Sequence, residues 1–347
     1  MAVAEHRGGG GQYGESGRDR DEFARLSEPF RHELLVYCYR MLGSVHDAED
    51  LVQEVYLRAW RSYAQFEARA SLRTWLYRIA TNTCLNALQH SSRRVLPSGL
   101  GHASDAPEVP STFSAEVPWL EPLPDRMIGT LPDDPAAVVA FRAGIRLALI
   151  AALQHLPGRQ RAVLLLRETL SMSTAQIAEQ LGMTAAAVNS SLQRARARLD
   201  ALAPASEEIA EPDDPGRRAL LDRYAKAFES ADVDALTRLF TEDAVVEMPP
   251  APQWFTGHAM VARFFAYRFT KRPGRIRLVP TSANRQPAFA SYRRLDDGTF
   301  EAQHVQVLTL SESGISHATA FTENKRLIRL FGMPLTATAE ELDRLQP

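Results

Sequence analysis

The segment from Ser173 to Leu199, STAQIAEQLGMTAAAVNSSLQRARARL, constrains this chain more than any other. It reads as two short helices joined by a tight turn. Ser173 with Gln176 three residues on is a capping-box start. Ala175, Ile177, Ala178 and Leu181 give the first helix an apolar stripe, and Gly182 supplies a turn where a positive φ costs little. Thr184 is placed to cap the second helix, in which Val188, Leu192, Ala195 and Leu199 recur at helical spacing. The opposite face carries Asn189, Ser190, Gln193, Arg194, Arg196 and Arg198, with no carboxylate before Asp200. Such a face offers donors to phosphates and base edges and nothing that repels them. A plain helical hairpin with a solvated basic face has the same spacing. A helix-turn-helix that reads duplex DNA also accounts for the missing acids.

A net charge of −2 looks wrong for a DNA binder until it is resolved along the chain. From Phe141 to Asp200 there are eight arginines against Glu168, Glu179 and Asp200. From Asp105 to Ala140 seven acids face only Arg126, so the blocks cancel in the total. At 347 residues, two or three domains are expected. The two cysteines, Cys38 and Cys84, fit a reduced compartment and make no metal pattern. With no secretory leader and no long apolar run, the expectation is a cytoplasmic protein without a membrane segment.

Residues 1–20 are too polar and glycine-rich to pack and read as a disordered tail. From Phe23 to Arg94 the pattern is helical. Phe30, Leu34, Leu35, Cys38 and Met41 share one stripe, which ends at Gly43. Ser44 and Asp47 then form a second capping box. The helix DAEDLVQEVYLRAW buries Ala48, Leu51, Val52, Val55 and Ala59 and leaves Asp50, Gln53, Glu54 and Arg58 outside. Periodicity alone makes that outer face solvated surface. After the loop FEARAS comes LRTWLYRIATNTCLNAL, with Leu72, Leu76, Ile79 and Thr83 as its core stripe. Arg73, Thr74, Arg78, Asn82 and Asn86 point elsewhere. A tryptophan among arginines and asparagines suits unstacked bases, and a core Trp75 with incidental polar neighbours fits equally well.

DAEDLVQEVYLRAW, SLRTWLYRIATNTCLNAL and IAEQLGMTAAAVNSSLQRARARL, in that order, resemble the extracytoplasmic-function (ECF) sigma factors of the sigma-70 family. The resemblance implies a sigma-2 domain and a sigma-4 helix-turn-helix domain. It implies that Asp47, Asp50, Gln53 and Glu54 grip the β′ clamp helices of RNA polymerase core, with the β flap as a second contact. It points to Arg69, Ser71, Arg73, Trp75, Arg78, Asn82 and Asn86 for melting and capturing the −10 element. Thr184, Asn189, Ser190, Gln193, Arg194, Arg196 and Arg198 would read the −35 element. Family members usually carry cations where this chain has Asn189 and Ser191, so a weaker phosphate grip is expected. Arg159, Arg161 and Arg167 are candidates for backbone contacts.

Prolines recur between Pro97 and Pro135, which marks an extended linker without its own core. Trp119 and Leu120, in VPWLEPLPD, are the residues expected to dock on something. The resemblance suggests a linker that threads the polymerase; an acidic spacer with Trp119 packed on a neighbouring domain is the other reading.

Beyond Arg217 the pattern changes. A long helix with Leu220, Leu221, Tyr224 and Phe228 precedes a strand near Val245, then the helix GHAMVARFFAYRF and four alternating strands. The order, with ALTRLFTEDAVVEM and WFTGH, resembles SnoaL-like domains of the NTF2-like superfamily, which also hosts ketosteroid isomerases. Members with activity use a pocket carboxylate as base. Asp243, Glu247, His258, His304 and His317 are the candidates, and no spacing compels two of them to meet. A pocket is expected near Tyr224, Trp254, His258 and His304. A sigma factor with this tail resembles the SigG-type subgroup, in which the extra domain replaces or supplements a separate anti-sigma protein.

The expected fold is therefore multidomain: two all-α sigma domains plus a C-terminal α+β cone. The boundaries are 1–20 tail, 21–96 sigma-2, 97–138 acidic Pro-rich linker, 139–203 sigma-4, 204–216 linker and 217–340 cone. The expected function is promoter selection for RNA polymerase core on promoter DNA, modulated by the cone, without enzymatic chemistry, cofactor, metal or membrane contact. A small apolar ligand in the cone is a further expected partner. The alternative is a one-component DNA-binding regulator whose SnoaL-like domain senses a ligand or acts as an enzyme.

Overall fold

The computed structural model describes residues 21–66, 70–90, 92–109, 114, 116–129, 141–202, 214–271 and 275–345. The expected tail at 1–20 and Arg69 lie outside the described residues. The N-terminal helical domain is built from α1 (Arg31–Leu42), α2 (Val45–Ser62) and α3 (Leu72–Gln89). α1 stops where Gly43 turns left-handed at φ 74°, and a Cβ there would stand 2.9 Å from the Gln154 amide carbon. The stop is thus also a close approach of two domains. Ser44 Oγ caps α2 by accepting from Asp47 N, and Ser71 Oγ caps α3 by accepting from Thr74 N. Ala48, Val52, Val55 and Ala59 are buried, as the spacing predicts. On α3 the buried stripe runs through Leu76, Tyr77, Ala80, Thr83 and Cys84, whereas Leu72 and Ile79 are half-buried. α3 is covered from two sides, by α1 and α2 and by a helix of the next domain, so its buried arc is rotated and wider than a single-sided stripe.

That next domain comprises α4 (Leu147–Leu153), α5 (Gly158–Leu170), α6 (Thr174–Leu181) and α7 (Ala185–Leu202). The helical segment that starts at Phe141 is interrupted by a turn at Gly144 and Ile145. The capping box at Ser173 is complete: its Oγ accepts from Gln176 N and its own N–H donates to Gln176 Oε1. Gly182 closes α6 at φ 61°, and Thr184 Oγ1 accepts from Ala187 N to start α7.

The C-terminal domain opens with α8 (Pro215–Glu229) and α9 (Val233–Thr237). Strands β1 (Phe240–Glu247), β2 (Trp254–Thr256), β3 (Ile276–Ala283), β4 (Gln286–Arg294), β5 (Phe300–Ser311), β6 (Gly314–Thr322) and β7 (Thr336–Ala337) form one sheet. α10 (His258–Lys271) crosses between β2 and β3, and α11 (Lys325–Leu330) and α12 (Ala339–Arg344) follow β6. The strand order is β2-β1-β6-β5-β4-β3, antiparallel except for the β1–β6 pair, with β7 on the start of β5.

Strand alternation gives this sheet two apolar faces. Leu278, Phe289, Leu308 and Ala318 pack under α8 and α10. Val279, Ala288, Ala290, Tyr292, Val305 and Val307 belong instead to one core shared with α1 to α7. The sheet thus lies between its own helices and the two helical domains.

Candidate nucleic-acid interface and the junction behind it

α7 holds Val188, Leu192 and Ala195 inward, and Gln193, Arg194, Arg196 and Arg198 project to solvent. Thr184 and Asn189 are exposed and Ser190 is half-buried; Asn189 Oδ1 accepts from Thr174 Oγ1 at 3.2 Å. Ser191 departs from the expectation. It is 4% exposed and packs inward, so a missing cation there does not thin the outer face. The backbone-contact reading of Arg161 is also corrected. Arg161 is 3% exposed, and Arg167 donates to Met172 O at 2.7 Å. Arg159 is exposed.

On α3, Arg78, Asn82 and Asn86 stand exposed four residues apart, along one line that begins at Ser71. Trp75 is half-buried, its ring 4.9 Å from that of Phe66. Arg73 does not join this line. Its guanidinium clasps Glu33 at 2.8–3.0 Å and lies over Tyr77, an ionic pairing within the domain that the spacing could not show. On α2, Gln53 is exposed and Glu54 accepts from Arg58 at 2.6 Å. Asp47 accepts from Arg94, and exposed Asp50 lies 3.8 Å from Arg326 of the C-terminal domain.

Behind these surfaces the two helical domains touch. Arg161 donates to Met41 O, to Gln154 Oε1 at 2.7 Å and to the carbonyls of Gln154 and Leu156 at 3.1 Å. Burial among carbonyls, without a carboxylate partner, lowers its pKa to about 10. Arg40 donates to Glu168 at 3.2 Å, and Gln180 donates to Thr81 at 3.3 Å.

The connecting segment runs through this contact. Val95 and Trp119 form a β-bridge, and Leu120 and Leu123 are completely buried. Trp119 is half-buried, and its indole donates to Ser114 O within the segment. Glu121 accepts from Ser44 Oγ at 2.6 Å, His46 Nδ1 at 2.9 Å and Asn324 Nδ2 at 3.3 Å. Burial pushes this carboxyl up, but the bonds from His46 and Ser44 outweigh that and hold it below the usual carboxylate value. Glu247 shows the same balance: burial raises it, and His317 (2.7 Å) and Ser98 N (2.9 Å) bring it below normal.

One residue joins all four parts. Asn284 begins the two-residue β3–β4 turn, with φ of 56° at both Asn284 and Arg285, a conformation that asparagine tolerates. It is fully buried. Its Oδ1 accepts from Leu123 N at 2.9 Å, and its Nδ2 donates to Tyr39 Oη at 2.8 Å and Ile145 O at 2.7 Å. Tyr39 in turn donates to Glu121 O at 2.9 Å. Beside it, Gln286 Oε1 accepts from Leu147 N at 2.8 Å. Nothing in the sequence singled out Asn284, Tyr39 or Glu121, because asparagine at a turn is generic and its partners lie 139–245 residues away.

The C-terminal domain contains a cavity between the sheet and α8 and α10, lined by Tyr224 and His304 among others. Trp254 and His258 are not among its lining residues. Trp254 donates to Gly101 O at 3.2 Å and so sits against the connecting segment, and His258 is the first residue of α10. Of the carboxylate candidates, Asp243 is exposed and accepts from Thr241, and Glu247 lies on the opposite face of β1 with His317. Among the described residues no group of His, Cys, Asp or Glu could hold a metal, and no helix is long and apolar enough to cross a membrane.

Three family models match the chain: Sigma-70 region 2 over residues 26–94, Sigma-70 region 4 over 146–199 and the SnoaL-like domain over 221–318. The chain is 48% identical over 317 residues to the ECF RNA polymerase sigma factor SigG of Mycobacterium tuberculosis, covering 91% of this chain and 85% of that protein. It is 30% identical to SigJ of the same species over 68% of this chain and 70% of that one. The crystal structure of SigJ has the same fold, with TM-score 0.57 over 91% of this chain and 99% of that one at 22% identity. The chain belongs to the ECF sigma factors of RNA polymerase, in the form that carries a C-terminal SnoaL-like domain.

Proposed function

We propose that the C-terminal domain of this sigma factor holds sigma-2 and sigma-4 in a closed arrangement, and that promoter-directed initiation requires release of that hold. In the open form α2 meets the polymerase clamp through Asp47, Asp50, Gln53 and Glu54. The line Ser71, Trp75, Arg78, Asn82 and Asn86 captures the −10 strand, and α7 reads the −35 element through Gln193, Arg194, Arg196 and Arg198. The observation that carries this reading is Asn284, a single buried side chain bonded to sigma-2, the linker and sigma-4 at once. Scale supports it. Elements named −10 and −35 lie about 25 base pairs apart, roughly 85 Å at 3.4 Å per step. Domains joined by Gln180–Thr81 and Arg161–Met41 hydrogen bonds cannot span that distance. The pairing of Asp47 with Arg94, and of Asp50 with Arg326, further occupies the clamp-binding face.

The cavity is a site from which a ligand could shift this balance, and its lining argues for binding over catalysis, because it offers no carboxylate base. To test the closed form, Arg40→Cys and Glu168→Cys are combined and joined by a short bismaleimide. The joined protein is expected to give no promoter-directed transcripts with core polymerase, and the unjoined variant to give them. Full initiation by the joined protein would overturn the reading.

A further inference from the structure

The cavity of the C-terminal domain is mostly apolar, but its sheet side carries polar side chains. Phe228, Phe264, Phe265 and Phe269 line one side. The sheet side presents Ser291, Arg293, Gln303, His304 and Gln306, and α10 adds Arg268. Two arginines and a histidine face the space and no aspartate or glutamate does. Within this lining, two buried nitrogens have no hydrogen-bond partner among the described residues: Gln306 Nε2 and Arg293 Nε. Gln306 is 3% exposed, and its oxygen already accepts from Tyr224 Oη at 3.1 Å, which leaves its N–H groups unmet. An arginine nitrogen can only donate. Both unmet atoms are therefore donors, and leaving a buried donor unpaired is costly. The space, about 60 Å³, has room for a few water-sized groups.

We infer that this cavity binds a short-chain carboxylate, whose oxygens accept from the Gln306 amide and the Arg293 guanidinium while its alkyl end lies among the phenylalanines. A carboxylate supplies acceptors without donors and matches the charge of the lining. The alkyl end uses the apolar side, as an amphipathic ligand in a mostly apolar pocket does.

The site is also placed to be felt by the sigma domains, an extension that rests on the closed-form reading above. Along β4, Ser291 and Arg293 face the cavity while Ala290 and Tyr292 face the helical domains. Along β5, Gln306 faces the cavity while Val305 and Val307 face the other way. Arg293 is held by Glu301 at 3.1 Å, and a bound carboxylate competes with that partner. β4 begins two residues after Asn284, so displacement of β4 reaches the junction directly.

The test is calorimetry on the full-length protein with propanoate, butanoate, butanamide and pentane as probes. The acids are expected to bind at least tenfold more tightly than butanamide or pentane. Gln306→Glu, which places a like charge at the carboxylate, is expected to weaken acid binding at least tenfold. Gln306→Met, of similar volume, should keep pentane binding and lose the preference for acids, which separates loss of the donor from loss of the fold. Equal binding of acid, amide and hydrocarbon would overturn the inference, as would no binding by any acid probe. Binding is read without polymerase, so its failure leaves the closed-form test unaffected. Acid binding without a change in transcription would refute only the coupling.

Discussion

The recognition helix α7 and the Asn284 junction solve opposite problems. α7 keeps Arg194, Arg196 and Arg198 in water, where each donor stays available to a phosphate or base. The junction puts its polar groups where water hardly reaches, and Asn284, Tyr39 and Glu121 are matched to one another, to neighbouring backbone and to Ser44, His46 and Asn324. An exposed donor costs little to lose in the free protein and matters when DNA arrives. A buried one matters before DNA arrives, because removing it strands its partners. In the closed-form proposal, the molecule thus separates reading from restraint. Changes at α7 should alter affinity for DNA, and changes at the junction should alter how often the reader is free.

The largest break in that separation is expected from Asn284→Ala. It deletes three hydrogen bonds, leaves Leu123 N and Ile145 O buried and unmet, and places alanine at φ 56°. At about 1–3 kcal/mol per unmet group, the closed form loses enough to raise its open fraction at least tenfold. Faster exchange of amides at the α3–α5 contact and higher promoter-directed output with core polymerase are the expected readouts. Unchanged exchange and output would remove Asn284 from its role. A point change is more informative than deleting the domain, since deletion would expose the apolar surface that Val279, Ala290, Tyr292 and Val307 now cover.

Arg194→Ala is the counterpart on the reading side. Promoter binding should weaken by roughly 1–3 kcal/mol if Arg194 meets a base edge, with no change in thermal midpoint. A shift in the midpoint with affinity unchanged would mean that Arg194 belongs to the restraint instead.

These two regions also differ in what the sequence disclosed. The reader was legible to the residue: the capping box at Ser173, the turn at Gly182 and the inward Val188, Leu192 and Ala195 follow from spacing within one segment. Two positions were misread: Ala175, placed in the apolar stripe, is exposed, and Ser191 was judged by residue type without the helical phase that turns it inward. The family and fold class were likewise readable, since they rest on contiguous motifs. The restraint was not readable. Arg161 looks like a DNA contact until the carbonyls of Met41 and Gln154 come into view, and the pairing of Arg73 with Glu33 carried no local signal. Docking at Leu120 was expected from an apolar pair in a polar linker. The carboxylate two residues past Trp119, which bonds to Ser44, His46 and Asn324, carried no local signal.

Acid should loosen the junction and leave the reader unchanged. Glu121 and Glu247 are both held below the usual carboxylate value, so each ionises more readily in the folded protein than in the unfolded chain. Their contribution is complete above the unfolded value of about 4.3 and is lost as pH falls through the lower folded values. Denaturant midpoints measured from pH 7 to pH 3 should stay level at first and then fall below about pH 4.5. The decline should be shallower in Glu121→Gln, which is less stable at neutral pH but has one fewer group to protonate. An identical slope in that variant would show that Glu121 does not couple the junction to pH.

The smallest effect is expected where restraint and reading share a surface, at Asp50 and Arg326. Their 3.8 Å separation and side-chain exposures of 63% and 62% make the pair a screened surface contact, worth about 0.2–1 kcal/mol at most. Arg326→Ala should therefore leave stability almost unchanged while freeing Asp50 for the clamp. The gain in affinity for core polymerase should be no more than about fivefold, and it should vanish in high salt, where the pair is already screened. Gains much larger than that, or gains that persist in high salt, would mean that α11 blocks the clamp face by its bulk rather than by its charge. Arg326→Lys separates the two, because it keeps the charge and should behave as wild type only if charge is what matters.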